Sequence, residues 1–294
     1  MDIRRLQLFL AVADQGGFTR AANALFISQP ALSQGIKELE AELGVELFHR
    51  LGRRVSLTTA GEALLGPARQ TLRDIEAGKA AVASVAGLVT GKLDLCSLPS
   101  LAADPVGPLV GAFRKAHPGI SVELASARNP LDLLRQIREG VCELGVTEGF
   151  DMPNILQSRP LASQEFVVVL PPGERVKKGF DVADLAGVPL VSTPIGTSTR
   201  RALERAFAEA GIVPTVVVES AQRDALLPMV VAGAGAAMLP KALTVTAEAQ
   251  GARVVSLVPP ITRCIVMAFR PGALSPAAAA FLKIASEGST RRPP

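Results

Sequence analysis

The residues of this chain whose types and spacing best suit a chemistry lie in its first sixty positions. Ser28-Gln29-Pro30-Ala31-Leu32-Ser33 is followed by Gln34 and Lys37, then by Arg50, Arg53 and Arg54. They suit hydrogen bonding and ion pairing to a polyanion that displays base edges. A Gln amide can pair with adenine through two bonds, Ser can address several bases, and guanidinium groups pair with phosphates. No catalytic set competes with them. The chain has no Gly-x-Ser-x-Gly and no Gly-rich loop ending in Gly-Lys-Ser, and Gly233-Ala234-Gly235 is too short a glycine run to count. His49 and His117 are the only histidines, which excludes a multi-His metal site, and no metal or cofactor is expected.

Helices and a hairpin must position these groups. A short helix is expected from Phe18 to Leu25, with Gly17 at its N-cap and the small Ala21, Ala22 and Ala24 letting a neighbour approach. Phe26-Ile27 makes the turn. Ser28 caps a second helix, and Pro30 falls in its first turn, where a missing N–H does no harm. Leu32, Ile36, Leu39 and Leu43 recur at helical spacing and face a core. Gln29, Ser33, Gln34 and Lys37 occupy the opposite face, which reads either as a solvated surface or as the part of a recognition helix that meets the major groove. Gly35 weakens this helix by up to about 1 kcal/mol relative to Ala. Val45 to Phe48 and Val55 to Thr58 form two extended runs joined by a basic tip, so Arg50, Arg53 and Arg54 sit on a wing against phosphates. The segment thus reads as a winged helix-turn-helix. Glu38, Glu40, Glu42 and Glu46 offset most of its bases, so binding must come from placed charges.

Phe9, Phe18-Thr19, Ala21-Ala22, Leu25, the run Ser28 to Ser33, Ile36, Leu39-Glu40, Leu43-Gly44, Leu47-Phe48, Arg50, Leu57-Thr58 and Ala60-Gly61 together resemble the LysR-type transcriptional regulators. The resemblance implies a DNA-binding domain at residues 1–60, a linker or dimerisation helix at 61–89, and an effector-binding domain at 90–294. It implies that Gln29, Pro30, Ser33 and the position of Gln34 approach DNA and that Arg53 and Arg54 contact its backbone. Relatives often carry Arg where this chain has Gln34. The function implied is sequence-specific regulation of transcription in response to a small effector. The alternative class is a non-specific architectural DNA-binding protein, which would hold all duplexes about equally.

The remaining composition fits that layout. The chain has 294 residues, 48% of them apolar, and a net charge of +4, which suits two or three globular domains and mildly favours a nucleic-acid partner. No leader pattern opens it and no run of about 18 apolar residues occurs, so a cytoplasmic protein without membrane contact is expected. Cys96, Cys142 and Cys264 each sit beside or within an apolar run and read as buried thiols, with a redox pair as the second reading. Glu62 to about Leu88 reads as a long helix with a narrow stripe of Leu64, Ala68, Leu72, Ile75, Val82 and Val85. Pro67 should bend or locally break it. The stripe can pack on its own chain or on a partner helix. The resemblance implies the second, in a homodimer or homotetramer.

From Lys92 onward strand-like runs alternate with helical patterns twice over, as in two lobes of covered parallel strands. The expected class is α/β, an all-α winged helix-turn-helix followed by two Rossmann-like lobes that resemble type 2 periplasmic binding proteins. Lobe I is expected over 91–162 and 264–294, and lobe II over 163–263. Gln157 to Glu165 and Pro259 to Cys264 are the expected crossings, and Gly288 to Pro294 an unstructured tail. Positions beyond strand ends and at a helix start supply Ser97, Pro99, Ser100, Arg128, Thr147, Thr193, Thr197, Ser198 and Thr199. Such hydroxyls and N–H groups suit a small organic anion, although each residue could equally be a cap or an ordinary loop residue. The expected partners are double-stranded DNA and a small-molecule effector, with RNA polymerase a further candidate.

Overall fold

The computed structural model describes residues 1–51, 54–85, 91–149, 155–174 and 178–289. The chain forms two compact units, Met1–Gly91 with Gln136–Val141, and Lys92–Arg135 with Cys142–Pro294.

The first unit opens with α1 (Ile3–Gln15), capped by the Asp2 carboxylate, which accepts the Arg5 N–H at 2.8 Å. This helix has no counterpart among the sequence-based expectations. It is followed by α2 (Phe18–Ala24), entered from Gly17, and α3 (Gln29–Leu43), whose Ser28 hydroxyl accepts the Ala31 N–H at 3.3 Å. Leu6, Phe9, Leu32, Ile36 and Leu39 make the core between them, with the ring of Phe48 5.4 Å from Phe9 and 5.7 Å from Phe18. Gly35 has a reason to be in α3. A Cβ there would overlap Leu8 Cδ1, so any larger residue would oblige the end of that buried side chain to turn aside.

Strands β1 (Phe48–Leu51) and β2 (Arg54–Leu57) pair antiparallel, Phe48 opposite Leu57 and Leu51 opposite Arg54. Helix α4 (Thr59–Val85) then runs without interruption through Pro67. The expected local break is therefore absent. Pro67 is exposed, so water can satisfy the carbonyl its missing N–H leaves free. Leu65 and Ala68 bury the front of α4 in the same core, while Val82 farther along is 74% exposed.

The second unit contains β3 (Gly91–Ser97), the single turn α5 (Pro99–Leu101), an irregular segment Ala102–Val106, and α6 (Gly107–Ala116). Then come β4 (Ile120–Ser126), α7 (Pro130–Arg138), β5 (Leu144–Glu148) and β6 (Gln157–Leu170). The rest comprises β7 (Pro189–Ser192), α8 (Ser198–Glu209), β8 (Thr215–Glu219), α9 (Leu226–Val231), β9 (Ala237–Pro240), β10 (Arg253–Phe269) and α10 (Pro276–Ser289). Six strands form one sheet in the order β4-β3-β5-β10-β6-β9, and β7 and β8 form a parallel pair that meets it through a bridge between Leu190 and Ala236.

The two crossings are not loops. They are parts of the long strands β6 and β10, which pair antiparallel from Arg253–Leu170 to Phe269–Gln157, with register shifts between Ser256 and Ile261 and between Ile265 and Val266. The apolar runs on either side of Pro259 and Pro260 thus belong to one strand. Pro259 and Pro260 fall within the first register shift and Pro160 lies at the second. Helix α10 reaches Ser289, so the expected tail is helical over its first two residues, and residues 290–294 lie outside the described part.

Candidate DNA-binding and effector-binding sites

Capping by Ser28 fixes where α3 begins, and the stripe of Leu32, Ile36 and Leu39 fixes which way it faces. Gln29, Pro30, Gln34 and Lys37 are consequently exposed, with Ser33 half-buried beside them. Gln29 Nε2 donates to Ser33 Oγ at 3.2 Å, and Gln34 Nε2 donates to Glu38 Oε1 at 3.0 Å. These are weak neutral or exposed contacts that a base edge can replace. Glu38 and Glu42 also hold Arg5, at 2.9 and 3.0 Å, and the Glu40 carboxylate accepts the Leu47 N–H at 2.9 Å. Three of the acids that balance the charge of this segment, Glu38, Glu40 and Glu42, are therefore engaged within the fold. In the wing, Arg50 and Arg54 stand on β1 and β2, opposite Val55 and Leu51, and Arg53 lies outside the described residues.

In the second unit the geometry is organised by a residue that was not among the expected site residues. Arg263 lies on β10, is 6% exposed, and sits 5.0 Å from the ring centroid of Phe166. Its Nε donates to Gln164 Oε1 on β6 at 2.9 Å, its Nη2 donates to Ser100 Oγ at 3.0 Å, and its Nη1 donates to Ser198 Oγ. Glu148 Oε2 is 3.7 Å from Nη1 and accepts the Ser198 hydroxyl at 2.6 Å, while its other oxygen pairs with Arg201. Burial pulls the pKa of Arg263 down to about 10 against the attraction of Glu148, with Arg223 and Arg201 adding to the depression. One guanidinium thus ties the loop after β3, the first turn of α8 and both long strands. Strand alternation carries the signal for it, because Ile261, Arg263 and Ile265 share a face.

Beside this network is a cavity of about 610 Å³ whose lining includes Pro99, Ser100, Thr193, Thr199 and Arg223. Thr199 Oγ1 accepts from Arg223 at 3.3 Å, and burial lowers the pKa of that guanidinium. No ion pair reaches Arg223 among the described residues. Thr193 and Thr197 hydroxyls are 2.6 Å apart, and Thr197 caps α8 by accepting the Arg200 N–H. Thr197 and Ser198 are thereby engaged in structure and do not line the cavity. Ser97 and Thr147 are buried away from it, Thr147 Oγ1 having no hydrogen-bond partner among the described residues. The Arg128 side chain is 84% exposed and lies 3.5 Å from Asp132. Four of the nine expected residues, Pro99, Ser100, Thr193 and Thr199, come together on the cavity wall. Arg223, Arg263, Gln164 and Glu148 were missed.

The cysteines divide. Cys96 and Cys142 are buried, and the neighbouring Cys142 thiol together with burial raises the pKa of Cys96. Cys264 is exposed, contrary to expectation, because it follows the inward Arg263 on a strand whose side chains alternate. Among the described residues no group of His, Cys, Asp and Glu is arranged to hold a metal, and no helix is long and apolar enough to cross a membrane.

The family model described as a bacterial regulatory helix-turn-helix protein of the lysR family matches residues 3–62, and the LysR substrate binding domain matches residues 86–289. A Pseudomonas sp. protein named SDS degradation transcriptional activation protein is 37% identical over 217 residues, covering 71% of this chain and 70% of its own. The transcriptional regulator IlvR of Caulobacter vibrioides is 30% identical over 292 residues, covering 98% of each. The crystal structure of CbnR, a LysR family transcriptional regulator, matches with a TM-score of 0.68 at 24% identity over 98% of this chain and 99% of that one, a likeness of fold. With the helix-turn-helix and the substrate-binding domain both matched, the chain belongs to the LysR family and is a DNA-binding transcriptional regulator with an effector-binding domain.

Proposed function

We propose that this regulator reads its operator with Gln29, Pro30, Ser33, Gln34 and Lys37, holds the DNA backbone with Arg50, Arg53 and Arg54, and takes a small organic anion at Ser100, Thr193, Thr199 and Arg223. The observation that carries the effector half is Arg223, a half-buried guanidinium on the cavity wall, bonded to a hydroxyl and to no carboxylate among the described residues. An anion entering there gains a charge-assisted hydrogen bond without displacing an ion pair. Its charge also adds to the network through Ser100, which Arg263 shares with Ser198, so occupancy favours one arrangement of the loop after β3 and of α8. The regulator acts by binding, with no catalytic step, in the cytoplasm and as a homodimer or homotetramer that presents two reading heads. RNA polymerase is a further candidate partner. The domains divide at about residues 60 and 90, with lobe II at 163–263.

The test is binding of the full chain to the DNA upstream of its own gene against an unrelated duplex of equal length, over a salt series. A preference of about a thousandfold or more, with affinity falling steeply as salt rises, is expected. Equal affinity for both duplexes would establish the architectural alternative.

A further inference from the structure

The wall of the 610 Å³ cavity is not polar throughout. Beyond Ser100, Thr193, Thr199 and Arg223, it is built from Leu226 and Leu227 of α9, from Leu239 and Pro240 at the end of β9, and from Leu243 in the turn that follows. Leu227 and Leu243 are half-buried, so they offer apolar surface that remains to be covered. Thr246 and Gln250 are the polar residues of that part of the wall. The charged residues of the lining are Arg223 and the exposed Asp224, one of each sign. A dianion satisfied by Arg223 would still face Asp224, whereas a single negative charge is matched by the one guanidinium. A volume of 610 Å³ is in the range of cavities that enclose drug-sized ligands, and exceeds what a bare inorganic anion needs.

We infer that the effector is a monoanionic amphiphile: one acidic head at Arg223 and Thr199, and a hydrocarbon body lying against Leu227, Leu239 and Leu243. This rests on the reading of the cavity as the effector site and adds the apolar half of the ligand to it. The head supplies orientation through its hydrogen bonds, and the body supplies affinity that grows with the apolar area it buries. A small hydrophilic anion would bind at the head alone and leave the leucine wall wet.

The experiment is calorimetric titration of the full chain with acetate, butanoate, hexanoate and octanoate, and with 1-octanol as the uncharged control, all below their aggregation concentrations. Affinity should rise from butanoate to octanoate by about fourfold per methylene, and 1-octanol should bind at least about tenfold more weakly than octanoate, the value of one charge-assisted hydrogen bond. Arg223→Gln should bring octanoate down to the level of 1-octanol, with Arg223→Lys recovering part of the loss. Leu243→Asn should flatten the dependence on chain length while leaving acetate unchanged. If acetate and octanoate bind alike and Arg223→Gln abolishes both, the apolar body is refuted and the anion site stands. Should 1-octanol match octanoate, the acidic head is refuted. If no alkanoate binds at millimolar concentration to a chain that still prefers its operator, both the amphiphile and the anion site fall, and the DNA-binding reading is untouched.

Discussion

Arg263 places a guanidinium inside the effector-binding domain, where desolvation penalises its charge and hydrogen bonds, Glu148 and the face of the Phe166 ring compensate. Arg263→Met should therefore destabilise this domain by about 1–3 kcal/mol, because it leaves the buried acceptors on Gln164, Ser198 and Ser100 without their shared donor. Urea unfolding checks this, and a loss below about 1 kcal/mol would show that the network does not hold the long strands together. At the other end of the chain, the proposed DNA contacts assign different roles to α3 and to the wing. Ser33→Ala and Gln34→Ala should relax base preference, whereas Arg54→Ala should weaken every duplex about equally and lower the salt dependence by about one phosphate. Binding to a panel of operator variants separates the two classes, and identical behaviour of all three variants would end the distinction between reading and positioning residues.

Helix α4 starts where the wing ends, and its first turn shows how an element boundary is specified. Thr58 donates its hydroxyl to the Glu46 carbonyl at 2.7 Å and accepts the Gly61 N–H at 3.0 Å. A Cβ on Gly61 would overlap the Leu47 carbonyl oxygen and lie 2.8 Å from Leu57 Cδ2. Because backbone cannot move aside as a side-chain end can, Gly61→Ala should cost about 1–3 kcal/mol in thermal unfolding of the first unit, despite alanine's better helix propensity. Helix α7 supplies a second element-scale test. The Asn129 side chain caps it by accepting the Asp132 N–H at 2.8 Å, and Asp132 in turn accepts from the Arg128 N–H at 2.9 Å and from Arg135 at 2.8 Å. Burial raises the Asp132 pKa, but the Arg135 and Arg128 interactions outweigh it and hold the carboxyl at about 2. A carboxyl whose pKa is lowered on folding contributes stability above its unfolded value and loses it as pH falls toward the folded one. Wild type should lose stability between about pH 4 and pH 2, and Asp132→Asn should flatten that limb. An unchanged acid limb in the variant would remove Asp132 from the cause.

At the scale of the whole molecule, α4 bears on assembly. Its front is covered by the chain's own core through Leu65 and Ala68, yet Val82 is 74% exposed on the same apolar stripe as Ile75. In the proposed dimer both copies of Val82 are covered, so Val82→Glu should weaken association by about a hundredfold or more, from the burial energy of two valines. Sedimentation velocity across a dilution series measures it. A variant with the native oligomeric state would place the subunit contact elsewhere. Loss of the dimer should also reduce operator affinity, since two half-sites are then bound separately.

The helix-turn-helix was legible in the residues because its determinants are local. Ser28 and Pro30 fix a helix start, and Leu32, Ile36 and Leu39 repeat at the helical period. The alternation of strand and helix beyond Lys92 was legible for the same reason, each element writing its own period. Helix α1 went unread although Asp2 caps it, and Pro67 was expected to interrupt a helix that continues. Only tertiary structure decided that Gly61 is a site of close approach, since the atoms it spares, on Leu47 and Leu57, lie outside its own helix. Likewise only the pairing of β6 with β10 brings Arg263 to Gln164, 99 residues away in sequence, and only the packing of α8 beside the loop after β3 brings Ser198 and Ser100 to the same guanidinium. Local sequence fixes periods and caps through neighbours a turn away. Which distant polar groups share a buried charge depends on long-range register, which no single segment carries.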